Sequence, residues 1–272
     1  MGHRLQQISE VFDPSVLATP YFLGAYLECV QTLSLTEKYK PKCVQDLLLS
    51  PKHGLALSLQ FLANPYPEAF LLYGKSGLGK TSLADLMAGA ATRHPLCIQR
   101  YAGPDLTSDS VCQLTDSTAT PPLYGGYYAV VINEADCIPR LAQVRLLELL
   151  DHLREHHLLI VMTSNDVLPD FDSRFLSRTK PQLFTAQGLA PRARDWLIRI
   201  AAAEGIPISK KEAARVVKLA HNNLRACLQS LELLGAERRV VGPCALPDAT
   251  QLMDIVPSSG RVMANPHPSA VF

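Results

Sequence analysis

The chain of 272 residues lacks any apolar run close to the roughly 20 residues that a membrane-spanning helix needs. Residues 1–7 also lack the basic start and apolar core of a secretory signal. The seven cysteines occur singly, without a CxxC pair, which excludes a typical zinc-binding pattern and a disulfide framework. We therefore expect an intracellular protein, cytoplasmic, nucleoid-associated or nuclear, with no membrane among its partners.

An excess of charge of either sign is also missing. The 26 Lys and Arg residues balance 25 Asp and Glu residues, so the formal net charge is +1. A charge this small provides no global attraction to nucleic acid, and any such contact needs a local basic patch. In contrast, 47% of the residues are hydrophobic, which is enough for a sizeable core and excludes a disordered chain.

The apolar segments follow two alternating patterns. Short, nearly continuous apolar runs predict strands, and leucine-rich segments with helical spacing predict helices. Strands are predicted at 69–73, 96–101, 127–132 and 158–162, with helices at 80–92 and 141–153. Strands that are apolar on both faces and separated by helices are typical of a parallel sheet covered on both sides. The sequence therefore predicts an α/β fold.

The predicted organisation has four parts. Residues 1–35 form an N-terminal extension with one amphipathic stretch at 21–33, and residues 36–187 form the α/β domain. Residues 188–239 form a small all-helical lid domain, with helices at 191–203, 209–220 and 222–234. Residues 240–272 are rich in proline, glycine and serine and are expected to form a flexible tail.

One glycine-rich run matches the phosphate-binding pattern GxxxxGK[ST] at every fixed position. It consists of Gly74, Lys75, Ser76, Gly77, Leu78, Gly79, Lys80 and Thr81, between a predicted strand and a predicted helix. In this pattern the backbone N–H groups surround the phosphates, the lysine reaches the β and γ phosphates, and the Thr81 hydroxyl binds Mg²⁺. We also expect the next residue, Ser82, to contribute to nucleotide binding. An ordinary glycine-rich turn is the alternative, and the flanking strand and helix disfavour it.

An acidic group follows the predicted strand at 127–132. A nucleoside triphosphatase of this kind needs such a group to hold the water shell of the metal and to polarise the attacking water. The residues are Asn133, Glu134 and Asp136, with Asn133 where the usual pattern has an aspartate. The Asn133 carbonyl accepts a hydrogen bond from a metal-bound water but adds no charge, so we expect weakened Mg²⁺ binding and weak hydrolysis. Glu134 is the candidate general base; alternatively, it only caps the following helix.

Three further polar residues, Asn165, Arg178 and Arg225, complete the candidate site. Asn165 follows the strand at 158–162, where it would orient the water against the γ-phosphate unless it only forms a turn. Arg174 and Arg178 lie four residues apart, and Arg178 is the candidate for a finger that reaches the nucleotide of a neighbouring subunit. A solvated surface position is the alternative for either arginine. Arg225 begins the last predicted helix, where it opposes the helix dipole, and is expected to fold back over the phosphates.

The ordered set of motifs resembles the AAA+ ATPases, specifically the clamp-loader (replication factor C-like) and replication-initiator branch. The similarity extends from the EKYKP run at 37–41 through the glycine-rich loop and VVINEAD to Asn165, Arg178 and Leu224-Arg225. The resemblance implies that ATP and Mg²⁺ bind between subunits, that Tyr39 and Pro41 lie near the adenine, and that Glu134 is catalytic. It also implies sensor roles for Asn165 and Arg225 and a finger role for Arg178. The implied partners are other AAA+ subunits, in a homo- or hetero-oligomer, together with DNA and DNA-bound proteins.

Departures from the family pattern leave three hypotheses open. Asn133 replaces an aspartate, no room remains after the lid for the helical collar of clamp-loader subunits, and residues 1–35 are additional. The first hypothesis is an ATPase that acts on DNA or on a replication or transposition complex, like clamp loaders, helicase loaders and transposition regulators. The second is an assembly module that binds ATP with little hydrolysis, which Asn133 favours. The third is a superfamily 3-type viral or plasmid helicase, which the lid disfavours.

Overall fold

A computed structural model describes residues 34–50, 54–165 and 173–241, and the structural statements below concern these residues. The amphipathic stretch predicted at 21–33 lies outside them, as does the predicted tail from residue 242 onward. Within the described ranges, none of the helices has both the length and the apolar character needed to cross a membrane.

In the described part of the chain, five parallel strands form one sheet in the order β2-β3-β4-β1-β5. The strands are β1 (Ala69–Gly74), β2 (Ile98–Ala102), β3 (Tyr128–Asn133), β4 (Leu158–Ser164) and β5 (Lys180–Phe184). The predicted α/β fold with a parallel sheet is confirmed. Nothing in the apolar pattern predicts β5, whose sequence KPQLF begins with Lys, Pro and Gln and has only two large apolar residues. It lies at the edge of the sheet, where a strand tolerates the missing N–H of Pro181.

The α-helices cover both faces of this sheet and build the lid. They are α1 (Leu35–Lys38), α2 (Ala56–Ala63), α3 (Lys80–Ala91), α4 (Ser108–Ser117), α5 (Arg140–Asp151), α6 (Ser173–Leu176), α7 (Ala190–Ala203), α8 (Lys210–Leu219) and α9 (Leu224–Val241). The lid helices α7, α8 and α9 lie where the sequence predicts three helices, and α9 extends further than predicted. A capping box opens α8, because the N–H of Glu212 donates to Ser209 Oγ and the N–H of Ser209 donates to Glu212 Oε2.

The hydrophobic core consists of two clusters, one on each face of the sheet. Alternate residues of β1 divide between them, since successive side chains of a strand point to opposite faces. Phe70 and Leu72 belong to the cluster that includes α2, α3 and the lid, whereas Leu71 belongs to the cluster with α4 and α5. The lid residue Leu197 is in the same cluster as Phe70, so a continuous apolar core joins the lid to the α/β layer.

The strand order decides which loops meet at the carboxyl edge of the sheet. Because all five strands are parallel, their carboxyl ends lie at the same edge. The order places β4 between β3 and β1, so the residues that follow these three strands are neighbours. These are the acidic group after β3, Asn165 after β4 and the glycine-rich loop after β1, which are separate in the sequence.

Candidate active site

The glycine-rich loop connects β1 to α3 and adopts a conformation that requires its glycines. Gly74, Gly77 and Gly79 have φ angles of 130°, 74° and 94°, in the left-handed region that other residues rarely adopt. Space is also restricted at Gly74, where a Cβ would lie 2.2 Å from the carbonyl oxygen of Phe184 in β5. Lys75 and Ser76, at the tip of the loop, are exposed. The glycines therefore allow the tight backbone conformation of this loop. The N–H groups at the start of α3 are then available to bind an anion.

Lys80 lies beneath this loop and is only 6% exposed. Its Nζ donates to the carbonyl oxygens of Gly74 at 2.7 Å and Lys75 at 2.8 Å, and to Oδ1 of Asn165 at 3.2 Å. Burial lowers the pKa of Lys80 to about 8, a shift that the charge of Asp136 opposes. A buried ammonium held by neutral carbonyls is electrostatically ready for an anionic ligand, which would raise its pKa again.

Asn133, at the end of β3, forms the polar link between the glycine-rich loop and β4. Its Oδ1 accepts a hydrogen bond from Thr81 Oγ1 at 3.3 Å and another from Thr163 Oγ1 at 3.2 Å. Thr81 belongs to the glycine-rich motif, whereas Thr163 is a buried residue of β4 that no sequence motif predicts at this site. The sequence feature that could have indicated Thr163 is the polar run Thr-Ser-Asn at the end of this otherwise apolar strand. The structure thus places the residue that departs from the family pattern directly beside the Thr81 hydroxyl.

Glu134 directly follows Asn133 in an unusual backbone conformation. Its φ and ψ are 56° and 50°, and its side chain is exposed. It precedes a 3₁₀ turn at Ala135–Cys137 without a side-chain capping hydrogen bond, so the alternative of a helix cap finds no support. The turn packs against Gly103, where a Cβ would lie 2.0 Å from the carbonyl oxygen of Glu134. Gly103 therefore permits the close backbone approach that places Glu134 at the edge of the sheet.

The side chains around Thr81 are suitable for a Mg²⁺ ion that is also bound by phosphate oxygens. No group of three His, Cys, Asp or Glu side chains in residues 34–50, 54–165 and 173–241 forms a metal site of its own. The oxygens in contact there are the Thr81 hydroxyl and the Asn133 amide. The charge of Asp136 acts on the neighbouring Lys80, and its Oδ1 is buried without a hydrogen-bond partner among the described residues. Mg²⁺ prefers oxygen ligands and retains several waters, so this set fits an ion held through a nucleotide.

A cavity of about 170 Å³ lies beside the loop, between the α/β layer, the lid and the segment at 35–48. Its apolar wall includes Leu47, Leu78, Trp196 and Leu228. Eight of the residues expected at ATP are part of the lining, namely Tyr39, Pro41, Gly77, Leu78, Gly79, Thr81, Ser82 and Arg225. Trp196 is not predicted from the sequence, although it is the only tryptophan in the chain. The shape and the apolar wall suit a flat aromatic base next to the phosphate loop.

The segment at 35–48 is attached to both sides of this cavity. The hydroxyl of Tyr39 donates to Glu204 Oε1 of the lid at 2.5 Å, and this hydrogen bond, with burial, raises the pKa of Tyr39 to about 12. Lys38 also pairs with Glu204 at 2.8 Å, while Lys40 pairs with Asp85 of α3 at 2.9 Å. These contacts place Tyr39 in the wall between the lid and the α/β layer.

The first turn of α9 contacts the glycine-rich loop directly. The N–H of Leu224 donates to the carbonyl oxygen of Gly77 at 2.9 Å, and a Cβ on Gly77 would lie 1.8 Å from Asn223 Oδ1. The next residue, Arg225, lines the cavity, and its charge lowers the pKa of Lys80, after burial as the main cause. The contact between Leu224 and Gly77 therefore places Arg225 in the cavity wall beside the glycine-rich loop.

Arg178 is not part of the cavity wall. It lies after α6 and forms an ion pair with Asp151, the last residue of α5, with N to O distances of 2.6 and 3.0 Å. Its Nη1 also donates to the carbonyl oxygen of Arg174 at 2.9 Å. Asp172, which begins this segment in the sequence, is outside the described residues. Arg178 is thus absent from the lining of the cavity beside the glycine-rich loop, as are Asn133, Glu134 and Asn165, but its hydrogen bonds to Asp151 and Arg174 connect it to α5 and α6 instead.

Comparison with known proteins gives a consistent assignment for this arrangement. Residues 70–186 match the model of the ATPase family associated with various cellular activities (AAA). Over 207 residues, 72% of the chain, the sequence is 25% identical to a replication factor C large subunit of Ignicoccus hospitalis, and it spans 42% of that relative's length. The resemblance to AAA-type ATPases inferred from the motifs is therefore confirmed over residues 70–186.

Solved structures with a similar fold include the Holliday junction branch migration motor RuvB of Thermotoga maritima. That structure is 16% identical, with a TM-score of 0.57, and the match covers 75% of this chain and 67% of RuvB. A variant of the same protein gives a TM-score of 0.60 at 15% identity, with coverages of 75% and 68%. At this level of identity the similarity establishes the fold alone.

Proposed function

Taking the AAA-type ATPase domain at residues 70–186 as the premise, we propose that this chain binds ATP with Mg²⁺ and hydrolyses it at interfaces between subunits, to act on DNA or on a DNA-bound protein complex. The observation that carries this proposal is the position of Lys80. Its buried ammonium touches both the glycine-rich loop and Asn165, so one cation connects the phosphate site to the carboxyl end of β4. We assign residues 36–187 to the nucleotide-binding unit and 188–239 to the lid.

The roles of the individual residues follow from their positions around this cation. The loop at 74–81 binds the phosphates through backbone N–H groups, and Lys80 and Arg225 neutralise their charge. Tyr39, Pro41 and Trp196 surround the base. Glu134 accepts a proton from the attacking water, and Asn165 orients that water. Bound Mg²⁺ would neutralise phosphate oxygens beside Thr81 and Asn133.

The assignment of the active site to a subunit interface depends on Arg178. Phosphoryl transfer is accelerated strongly by a cation that approaches the transferring phosphate from a neighbouring protein. Arg178 lies outside the nucleotide cavity of its own chain and is 32% exposed at the end of α5. We therefore assign it to the nucleotide of an adjacent copy or of a related AAA-type subunit. ATP then both stabilises the oligomer and is hydrolysed only within it.

The proposal that DNA is involved depends on the relatives. One is named a replication factor C subunit and another a Holliday junction branch migration motor, so both names refer to transactions of DNA. We assign this chain to the same class of process, within the cytoplasm, nucleoid or nucleus. The near-neutral net charge implies that contact with DNA occurs through a local patch or through another protein.

A second candidate function is an ATP-dependent assembly module with little hydrolysis. The position of Asn133 specifically favours it, because its amide oxygen is the group bonded to Thr81 where a carboxylate would attract the metal. In this alternative the nucleotide still joins subunits, but turnover is rare. The two functions predict the same assembly and different ATPase rates.

The experiment that separates them measures ATPase rate and particle size on the same protein, with and without DNA and with a non-hydrolysable ATP analogue. An oligomer that forms with the analogue, together with turnover that DNA increases, supports the ATPase function. The same oligomer without turnover supports the assembly module. Lys80→Ala is the control and should lose ATP binding, because it removes the ammonium beneath the loop. Unchanged ATP affinity in that variant contradicts both functions.

A further inference from the structure

The ion pair between Asp151 and Arg178 has a geometry that fixes the guanidinium group. Two nitrogens of Arg178, Nε and Nη2, donate to the two different carboxylate oxygens of Asp151. The third nitrogen, Nη1, donates to the carbonyl oxygen of Arg174, one turn earlier. A planar guanidinium bound along one edge by both oxygens of a carboxylate has a defined position and orientation. The side chain is thus connected to the ends of two helices, α5 and α6.

Folding alone gives little reason for an aspartate at position 151. The carboxyl end of a helix carries a partial negative charge, so the anionic Asp151 is unfavourable for α5 itself. The pair is also partly exposed, with 32% of Arg178 and 47% of Asp151 accessible, and ion pairs of this kind contribute little to stability. The hydrogen bonds from Arg178 hold the pKa of Asp151 below its usual range, so the carboxylate is charged at neutral pH.

We propose that Asp151 is a positioning residue, which holds the Arg178 guanidinium in the orientation that reaches the nucleotide of an adjacent subunit. This inference rests on the trans role proposed above for Arg178. A free arginine side chain has many rotamers, and ordering it during each catalytic cycle would cost entropy. The carboxylate orders it beforehand, so that the cation is already in place when two subunits meet.

The central experiment measures ATP hydrolysis by Asp151→Asn in the assembled, full-length protein. Asparagine has nearly the same shape but cannot accept both guanidinium bonds, so the position of Arg178 becomes less defined. We expect kcat to fall about ten- to a hundred-fold, the cost of misplacing the Arg178 guanidinium by about 1 Å. The ATP affinity, the KM and the thermal midpoint should not change. Asp151→Glu keeps the carboxylate and should retain more activity than the asparagine variant.

The matched control is Asp195→Asn. Asp195 pairs with Arg194 on the surface of the lid at 2.8 Å and is 61% exposed, so the substitution removes the same chemical group from a similar pair. This variant should have wild-type kcat. Equal losses in the two variants would show a general effect of surface charge and would contradict a specific role for Asp151.

Mixing variants tests whether Asp151 acts together with Arg178 on the neighbouring site. A Glu134→Gln subunit is inactive at its own site but supplies an intact Asp151 and Arg178 to the next subunit. Mixing it with Asp151→Asn should therefore restore part of the activity, as it should with Arg178→Ala. No restoration, in a mixture whose subunits exchange, means that Asp151 acts elsewhere and overturns the inference.

The remaining outcomes separate this inference from the proposed function. Wild-type kcat in Asp151→Asn, beside an inactive Arg178→Ala, overturns the positioning role and leaves the trans arginine in place. A higher kcat in Asp151→Asn also overturns it, because Asp151 would then restrain Arg178 rather than orient it. Full activity in Arg178→Ala would contradict the proposed trans role of Arg178, and with it the positioning role of Asp151.

Discussion

The contact between Gly103 and Glu134 provides a quantitative prediction for Gly103→Ala. A Cβ at position 103 would lie 2.0 Å from the carbonyl oxygen of Glu134, 2.8 Å from its carbonyl carbon and 3.2 Å from the carbonyl oxygen of Asn133. Real Cβ contacts below 3.0 Å are essentially absent, so the two backbones must separate by about 1 Å. All three atoms are backbone atoms, and no side-chain rotation relieves the overlap.

The consequence for activity follows from the position of Glu134. A shift of about 1 Å in a catalytic group costs on the order of 100-fold in rate, whereas overpacking costs about 1–3 kcal/mol in stability. We therefore expect Gly103→Ala to lower kcat by about 100-fold, with a smaller effect on ATP affinity, because the three atoms nearest to the added Cβ belong to Glu134 and Asn133 and not to the glycine-rich loop. ATPase kinetics, ATP binding and the thermal midpoint are measured on the same preparation.

Gly89→Ala is the matched control for this experiment. Gly89 lies in α3, and a Cβ there meets nothing within 4 Å. Since alanine is the better helix former by about 0.5–1 kcal/mol, the control should be at least as stable as the wild type and equally active. Wild-type kcat in Gly103→Ala would refute the reasoning, because the turn would then tolerate displacement. Loss of ATP binding would also refute it, because the damage would not be confined to Glu134.

Three further predictions concern the same site. Asn133→Asp should raise Mg²⁺ affinity and hydrolysis, because a carboxylate attracts a metal-bound water more strongly than an amide; coinciding Mg²⁺ dependences of ATPase activity would show that Asn133 is not at the metal. Glu134→Gln should bind ATP and remain assembled but not hydrolyse it, and normal turnover would move the catalytic role elsewhere, with Asp136 as the next candidate. Because the free Lys80 ammonium has a pKa of about 8, ATP affinity should weaken as pH rises from 7 to 9.5, with proton uptake on binding near pH 8.5. Calorimetry in two buffers of different ionisation enthalpy measures that uptake, and its absence would contradict the assigned environment of Lys80.

The sequence alone was sufficient for the features that depend on local chemistry. The loop at 74–81 needs glycines at fixed positions, because positive φ angles are required within a few residues of each other. The first four strands and the lid helices are visible in the spacing of apolar residues, since burial imposes a period on the chain. The same reasoning located Asn165, Asn133 and Glu134 at strand ends, and the parallel sheet then brought them together.

Only the tertiary structure revealed the residues that act through contacts between distant segments. In the sequence, Gly103 is an ordinary glycine before a proline. The structure shows that the backbone of Glu134 lies against it. Trp196 lines the cavity beside the glycine-rich loop because the lid shares a core with the α/β layer. The strand β5 pairs with β1 at the edge of the sheet, where its proline is tolerated. Asp151 meets Arg178 across 27 residues of chain. A sequence motif reflects the local requirements of the backbone. Contacts between distant segments depend on how helices and strands pack, and the residue spacing within one segment does not determine that packing.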